Sequence, residues 1–147
     1  MSDDPVSSSP PLPVLLPESR VCRLARSKRW LNPDDPSRFL PEAFFRRSNE
    51  KGLSVNIEDA CHADYVMAMK NADPPLTAHG IAELRVGSIR DLGFGLDVIP
   101  DSTVHADIVN VPFEVDDPKR ARDIAHALAE QAVVTWIRGG PPQPHDQ

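Results

Sequence analysis

The sequence predicts one small α+β domain: about five short strands, a long C-terminal helix packed across the sheet, and a disordered proline-rich tail at each end. Three observations predict this. Short runs rich in β-branched residues recur through the middle of the chain, each bounded by Gly, Pro, Asn or Asp. Apolar residues recur at helical spacing from residue 118 onward. Eight of the sixteen prolines fall at the two ends: Pro5, Pro10, Pro11, Pro13 and Pro17, then Pro141, Pro142 and Pro144. Proline fixes φ and removes a backbone donor, and the Ser7-Ser8-Ser9 run beside it has nothing to bury, so residues 1–19 and 139–147 read as tails. The folding unit is then 20–138, enough chain for one hydrophobic core in a 147-residue protein. With 40% hydrophobic and 26% charged residues, the composition is that of an ordinary globular domain.

The elements follow in order. Strands are expected over 21–25, 53–57, 81–86, 96–99 and 104–113, the last ending near Pro112, which can lie only at an edge or past the ladder. A helix over 58–70, with Asn56 as cap, would place Cys61, Tyr65, Ala68 and Met69 on one face before Asp73-Pro74-Pro75 stops it. Residues 88–92 suffice for one helical turn. The longest helix is expected over 118–137: Asp116 or Asp117 caps it, Pro118 suits its first position, and Ala121, Ile124, Ala125, Leu128, Ala132 and Thr135 form its apolar stripe. Residues 28–51 carry Pro33, Pro36 and Pro41 without periodicity and read as a long connection. Its Trp30, Phe39, Phe44 and Phe45 fold it down onto the domain, leaving its arginines outward.

The charge is segregated. Residues 20–51 hold nine basic groups (Arg20, Arg23, Arg26, Lys28, Arg29, Arg38, Arg46, Arg47, Lys51) against Asp34, Asp35, Glu42 and Glu50, in a chain whose formal net charge is -6. A local positive field in an acidic protein attracts an anionic partner without general affinity for polyanions. Interleaved cations and aromatic rings also suit unstacked nucleic acid. The sequence therefore reads as a binding or accessory module. Lys28, Arg29, Trp30, Arg38, Arg46 and Arg47 would engage an acidic protein surface or nucleic acid.

Catalytic signatures are sparse. No GxSxG, GxxxxGK[ST] or GxGxxG occurs, and Gly93-Phe94-Gly95 lacks the third glycine of a phosphate cradle. His105 and Asp107 share a strand face, but neither they nor His62, Asp64 and His79 have the tight spacing of a metal site, so no metal or cofactor is expected. His105 is expected to satisfy a hydrogen bond at a strand start. Cys22 and Cys61, without a CxxC pair, read as reduced thiols. The N-terminus is acidic where a secretory signal would be basic, and no apolar run approaches the ~18 residues of a membrane span. A cytoplasmic protein with no membrane partner is expected. Its oligomeric state is left open.

One alternative comes from a different class. Arg23 on the first strand, Ser54 on the second and Glu114 after the last stand in an order that resembles the Arg, Ser and Glu of ADP-ribosyltransferases. The family's Ser-Thr-Ser reads Leu53-Ser54-Val55 here. The resemblance implies an NAD-consuming transferase. Arg23 would hold the dinucleotide phosphates, Ser54 would support the nicotinamide side, and Glu114 would stabilise the oxocarbenium-like centre.

Overall fold

The computed structural model describes residues 11–35, 37–57, 71 and 78–138. These form a six-stranded, wholly antiparallel sheet: β1 (Arg20–Ala25), β2 (Leu53–Ile57), β3 (Gly80–Arg85), β4 (Asp97–Pro100), β5 (His105–Val109) and β6 (Val133–Ile137), in the order β4-β5-β2-β1-β3-β6. A five-residue helix α1 (Val86–Arg90) follows β3, and a 14-residue helix α2 (Pro118–Gln131) precedes β6. The α+β class is as expected, with one strand more. The helix expected over 58–70 lies outside the described residues, as do residues 1–10 and 139–147.

The extra strand is taken from the end of the expected helix. Pro118 opens α2 and the Asp117 side chain accepts the Arg120 amide at 3.2 Å, which caps the helix as its sequence requires. The helix ends at Gln131, because Val133, Val134 and Thr135 form a β-branched run that fits a pleated strand better than a helical turn. Ala132 turns directly from helix to extended backbone at φ −74°, ψ 139°. Thr135, expected on the helix stripe, sits in β6 at an irregularity opposite Ile81 and Ala82, its hydroxyl facing the Ile81 carbonyl at 3.5 Å.

Strand alternation sorts the sheet into two faces. Val21, Leu53, Val55, Ala82, Leu84, Val98, Ala106, Ile108 and Val134 join Ile124, Ala125 and Leu128 of α2 in one core. Phe39 and Phe44 complete it from the 28–51 connection, their ring centroids 6.2 Å apart. The other face carries a smaller apolar cluster of Cys22, Leu24, Ala78 and Ile81, with Trp136 packed against it. Beside that cluster the face turns polar along β2 and β5, with Ser54, Asn56, His105 and Asp107.

The folded body begins before residue 20. Leu15 joins the core, and Pro17 and Ser19 accept the amides of Gly87 and Val86 at 2.8 and 2.9 Å, which ties residues 15–19 to α1. Cys22, expected as a reduced thiol, is disulfide-bonded. The chain's second cysteine, Cys61, lies outside the described residues. Spacing along the chain misled that expectation, because a pair joined through the fold needs no local motif.

Candidate functional site

The connection between β1 and β2 is folded, as its aromatic residues imply. Ser27 caps a 3-10 turn, Lys28–Trp30, by accepting the Arg29 amide at 3.2 Å. Leu31 and Phe39 form a bridge, the Leu40 amide reaches the Trp30 carbonyl at 2.7 Å, and a second 3-10 turn, Pro41–Phe44, delivers Ala43 and Phe44 to the core. Pro41 suits the turn's start. The chain then enters β2 through Gly52. A Cβ there would stand 2.9 Å from Asp107 Cβ, so the close approach of β2 to β5 requires glycine.

β1 and β2 pair only at Val21 with Ile57 and Cys22 with Asn56, and beyond that they part. Arg23 fills the gap. Alternation places it on the apolar face with Val21 and Ala25, and it is only 4% exposed. Its Nε donates to the Ala43 carbonyl at 2.7 Å, and its Nη1 donates to the Ser54 carbonyl at 2.7 Å and to Glu50 Oε2 at 2.9 Å. Glu50 in turn accepts the Arg47 amide at 2.7 Å and the Ser54 amide at 3.2 Å. Burial pulls the Arg23 guanidinium below the usual arginine range; the Glu50 hydrogen bond and charge oppose this, and the Arg47 and Arg26 charges add to it. Burial pushes the Glu50 carboxyl up, but the Arg23 hydrogen bond and charge, with the Arg47 and Ser54 amides, carry it below the ordinary carboxylate value.

Where the strands part, a cleft of about 400 Å³ opens over this pair. Arg26, Trp30 and Arg47 line it, together with the polar side chains of Asn49, Ser54, Asn56 and His105. Two guanidinium groups approach Trp30, with Arg23 Cζ 5.7 Å and Arg47 Cζ 5.4 Å from its ring centroid. Cation–π attraction at such distances orients Arg47 without neutralising it. Among the described residues, neither Arg26 nor Arg47 has an ion-pair partner. The cleft is therefore chemically suited to an anion.

The residues expected to bind anions divide into two groups. Lys28 and Arg29 are exposed on the first 3-10 turn, next to the cleft's Trp30 and on the same connection as Arg47. Arg38 and Arg46 instead hold the protein's own backbone. Arg38 donates to the Glu130 carbonyl at the end of α2. Arg46 donates to the carbonyls of Glu50 at 2.9 Å, Val111 at 3.2 Å and Lys51, and its guanidinium lies 3.9 Å from the Phe113 ring centroid. Of the transferase trio, Arg23 and Ser54 line the cleft, whereas Glu114 is exposed in the turn before α2 and is not among the lining residues. The carboxylate in the cleft is Glu50.

Sequence reasoning counted Arg26 in the basic segment but did not single out Asn49, Glu50 or Asn56 as site residues. The available signal was the spacing of Glu50 four residues before Ser54 and the place of Arg23 between Val21 and Ala25 on an apolar strand face. His105 makes the expected hydrogen bond, Nδ1 to Asp101 Oδ1 at 2.7 Å. With Asp107 these two residues bring one ligand atom each within 4.8 Å of one another, a set that could hold a divalent cation at the β4–β5 turn. No helix among the described residues is long and apolar enough to cross a membrane. No family model matches the chain, and neither a curated protein nor a solved structure shows significant similarity to it.

Proposed function

We propose that this chain is a small binding module that engages an anionic partner through the face built by residues 20–51. The partner is an acidic protein surface or a nucleic acid, and Arg26, Arg47, Trp30, Lys28 and Arg29 form the contact. The observation that carries this reading is the presence, at one cleft, of two guanidinium groups that no acid among the described residues neutralises. Arg38 and Arg46 support the face by fixing its backbone.

The disulfide at Cys22 bears on the compartment. Disulfides persist in oxidising surroundings and are rare in the cytosol, so the bond favours an oxidising compartment over the cytoplasmic one expected from the N-terminal residues. The NAD-dependent transferase reading retains Arg23 and Ser54 at one cleft, but its catalytic acid would have to be Glu50, which is already engaged by Arg23 and two amides.

The test is fluorescence anisotropy with a labelled single-stranded oligonucleotide and a labelled acidic peptide. At least one should bind, with affinity falling as salt rises, and Arg26→Glu with Arg47→Glu should weaken it about tenfold or more. Equal affinity in the double variant, or no binding by either probe at low salt, overturns the proposal.

A further inference from the structure

We infer that the cleft between β1 and β2 takes the phosphate monoester group of a small molecule. The inference rests on the anion-binding reading above and names the ligand class.

Charge is the first argument. Arg23, Arg26 and Arg47 bring three guanidinium groups to the cleft against one carboxylate, Glu50. The Arg23–Glu50 pair at 2.9 Å cancels internally, which leaves the two charges of Arg26 and Arg47. Two uncompensated cations match a dianion. A phosphate monoester carries close to two charges at neutral pH, whereas a phosphodiester or a single carboxylate carries one. Guanidinium groups also present paired N–H donors that match phosphate oxygens. Arg26 and Arg47 both line this one cleft, on either side of Trp30 in the chain.

Positioning is the second argument. Arg47 is held at both ends: its amide donates to Glu50 Oε1 at 2.7 Å and its guanidinium rests 5.4 Å from the Trp30 centroid. Arg26 follows β1 directly and lines the same cleft. The buried network of Arg23 with the Ala43 and Ser54 carbonyls fixes the floor beneath them. A guanidinium resting against an aromatic ring, as that of Arg47 does, binds an anion with less loss of side-chain freedom.

Size and lining are the third. About 400 Å³ lies in the range of small-ligand pockets and accommodates a body of mononucleotide or sugar-phosphate size. Asn49 and Ser54 offer neutral donors and acceptors to a hydroxylated or heterocyclic body, and Trp30 offers an aromatic ring.

Isothermal titration of the full chain at pH 7.5 tests this with adenosine 5′-monophosphate, its 3′,5′-cyclic phosphodiester, adenosine and inorganic phosphate. The monoester should bind, the cyclic diester should bind about tenfold or more weakly, and adenosine should give no heat. Inorganic phosphate competing with the monoester places the recognition in the phosphate. A monoester that binds while phosphate does not compete places it in the nucleoside and overturns the inference. Arg26→Gln and Arg47→Gln should each weaken the monoester about tenfold with the Tm unchanged, while Arg38→Gln leaves its affinity as it was. Equal binding of monoester and cyclic diester overturns the inference. No binding of any small phosphate by a chain that still binds the oligonucleotide or the acidic peptide overturns it too, and leaves the broader reading standing. Failure of every probe defeats both.

Discussion

Arg23 and Arg47 sit 5.7 and 5.4 Å from the centroid of the same indole, and there their roles separate. Arg23 lies inside the sheet's opening and donates to the carbonyls of Ala43 and Ser54 and to Glu50. Arg47 lies at the rim and is exposed, with no ion-pair partner among the described residues. The same division runs through the whole basic segment, with Arg38 and Arg46 on the protein's own carbonyls and Arg26, Lys28 and Arg29 outward. A count of cations thus overstates the charge available to a partner. What decides a guanidinium's role is whether backbone carbonyls lie within its reach, because a buried carbonyl needs a donor and a guanidinium has several.

The comparison is broken most directly at Arg23. Arg23→Met should destabilise the fold by about 3–5 kcal/mol, since it leaves Glu50 and the Ala43 and Ser54 carbonyls without their donor at the floor of the cleft. Urea denaturation gives the value, and Arg23→Met with Glu50→Gln should recover part of the loss. A stability within about 1 kcal/mol of the parent would mean that Arg23 is no more structural than Arg47. The pair also predicts an acid limb. The folded Glu50 carboxyl titrates below its ordinary value of 4.5, so its contribution is full above that value and is lost as pH falls through the folded one. Stability of Glu50→Gln should therefore fall less steeply with acid than that of the parent. Identical acid limbs would remove Glu50 from the account.

Arg46 ranks next. Arg46→Ala removes donors to Glu50, Val111 and Lys51 and a contact with the Phe113 ring, a loss of about 1–3 kcal/mol for a half-buried group. Arg46→Lys should not restore it, because a point charge cannot reach three carbonyls from one planar fork. If Arg46→Ala instead kept its stability and lost affinity for an anion, Arg46 would belong with the rim residues, as the sequence alone had suggested.

How much of this could be read from the chain varied with the range of the interactions. β2 is predicted to the residue, and β1 and β3 to within one, because local β-branched runs and Gly or Asn punctuation determine them. The start of α2 was legible in Asp117-Pro118 for the same local reason. Its end was not, since Ala132 and Thr135 continue the helical spacing and only pairing with β3 settles Val133–Ile137 as a strand. Phe44 reads correctly as a core anchor from size alone. Trp30 and Arg47, which line the cleft, belong to the basic, aromatic segment that the sequence marks out. Which arginines face inward depends on the carbonyls of Ala43, Ser54 and Val111, brought near from 20 to 65 residues away. No periodicity encodes that, and the disulfide at Cys22 escaped for the same reason.

The smallest effect belongs to Arg38 and makes the sharpest comparison, because here exposure and engagement coincide. Its guanidinium is exposed like Arg47's, yet it donates to the Glu130 carbonyl in the last turn of α2, where a cation also meets the negative end of the helix dipole. Arg38→Ala should cost about 0.5 kcal/mol, seen as a Tm lowered by roughly 2–4 °C, and should leave anion affinity unchanged. Arg26→Gln should do the reverse, holding the Tm and losing affinity. If the two substitutions behaved alike in both measurements, exposure alone would govern the arginines of this segment. The division between those that hold the backbone and those that wait for a partner would then fail.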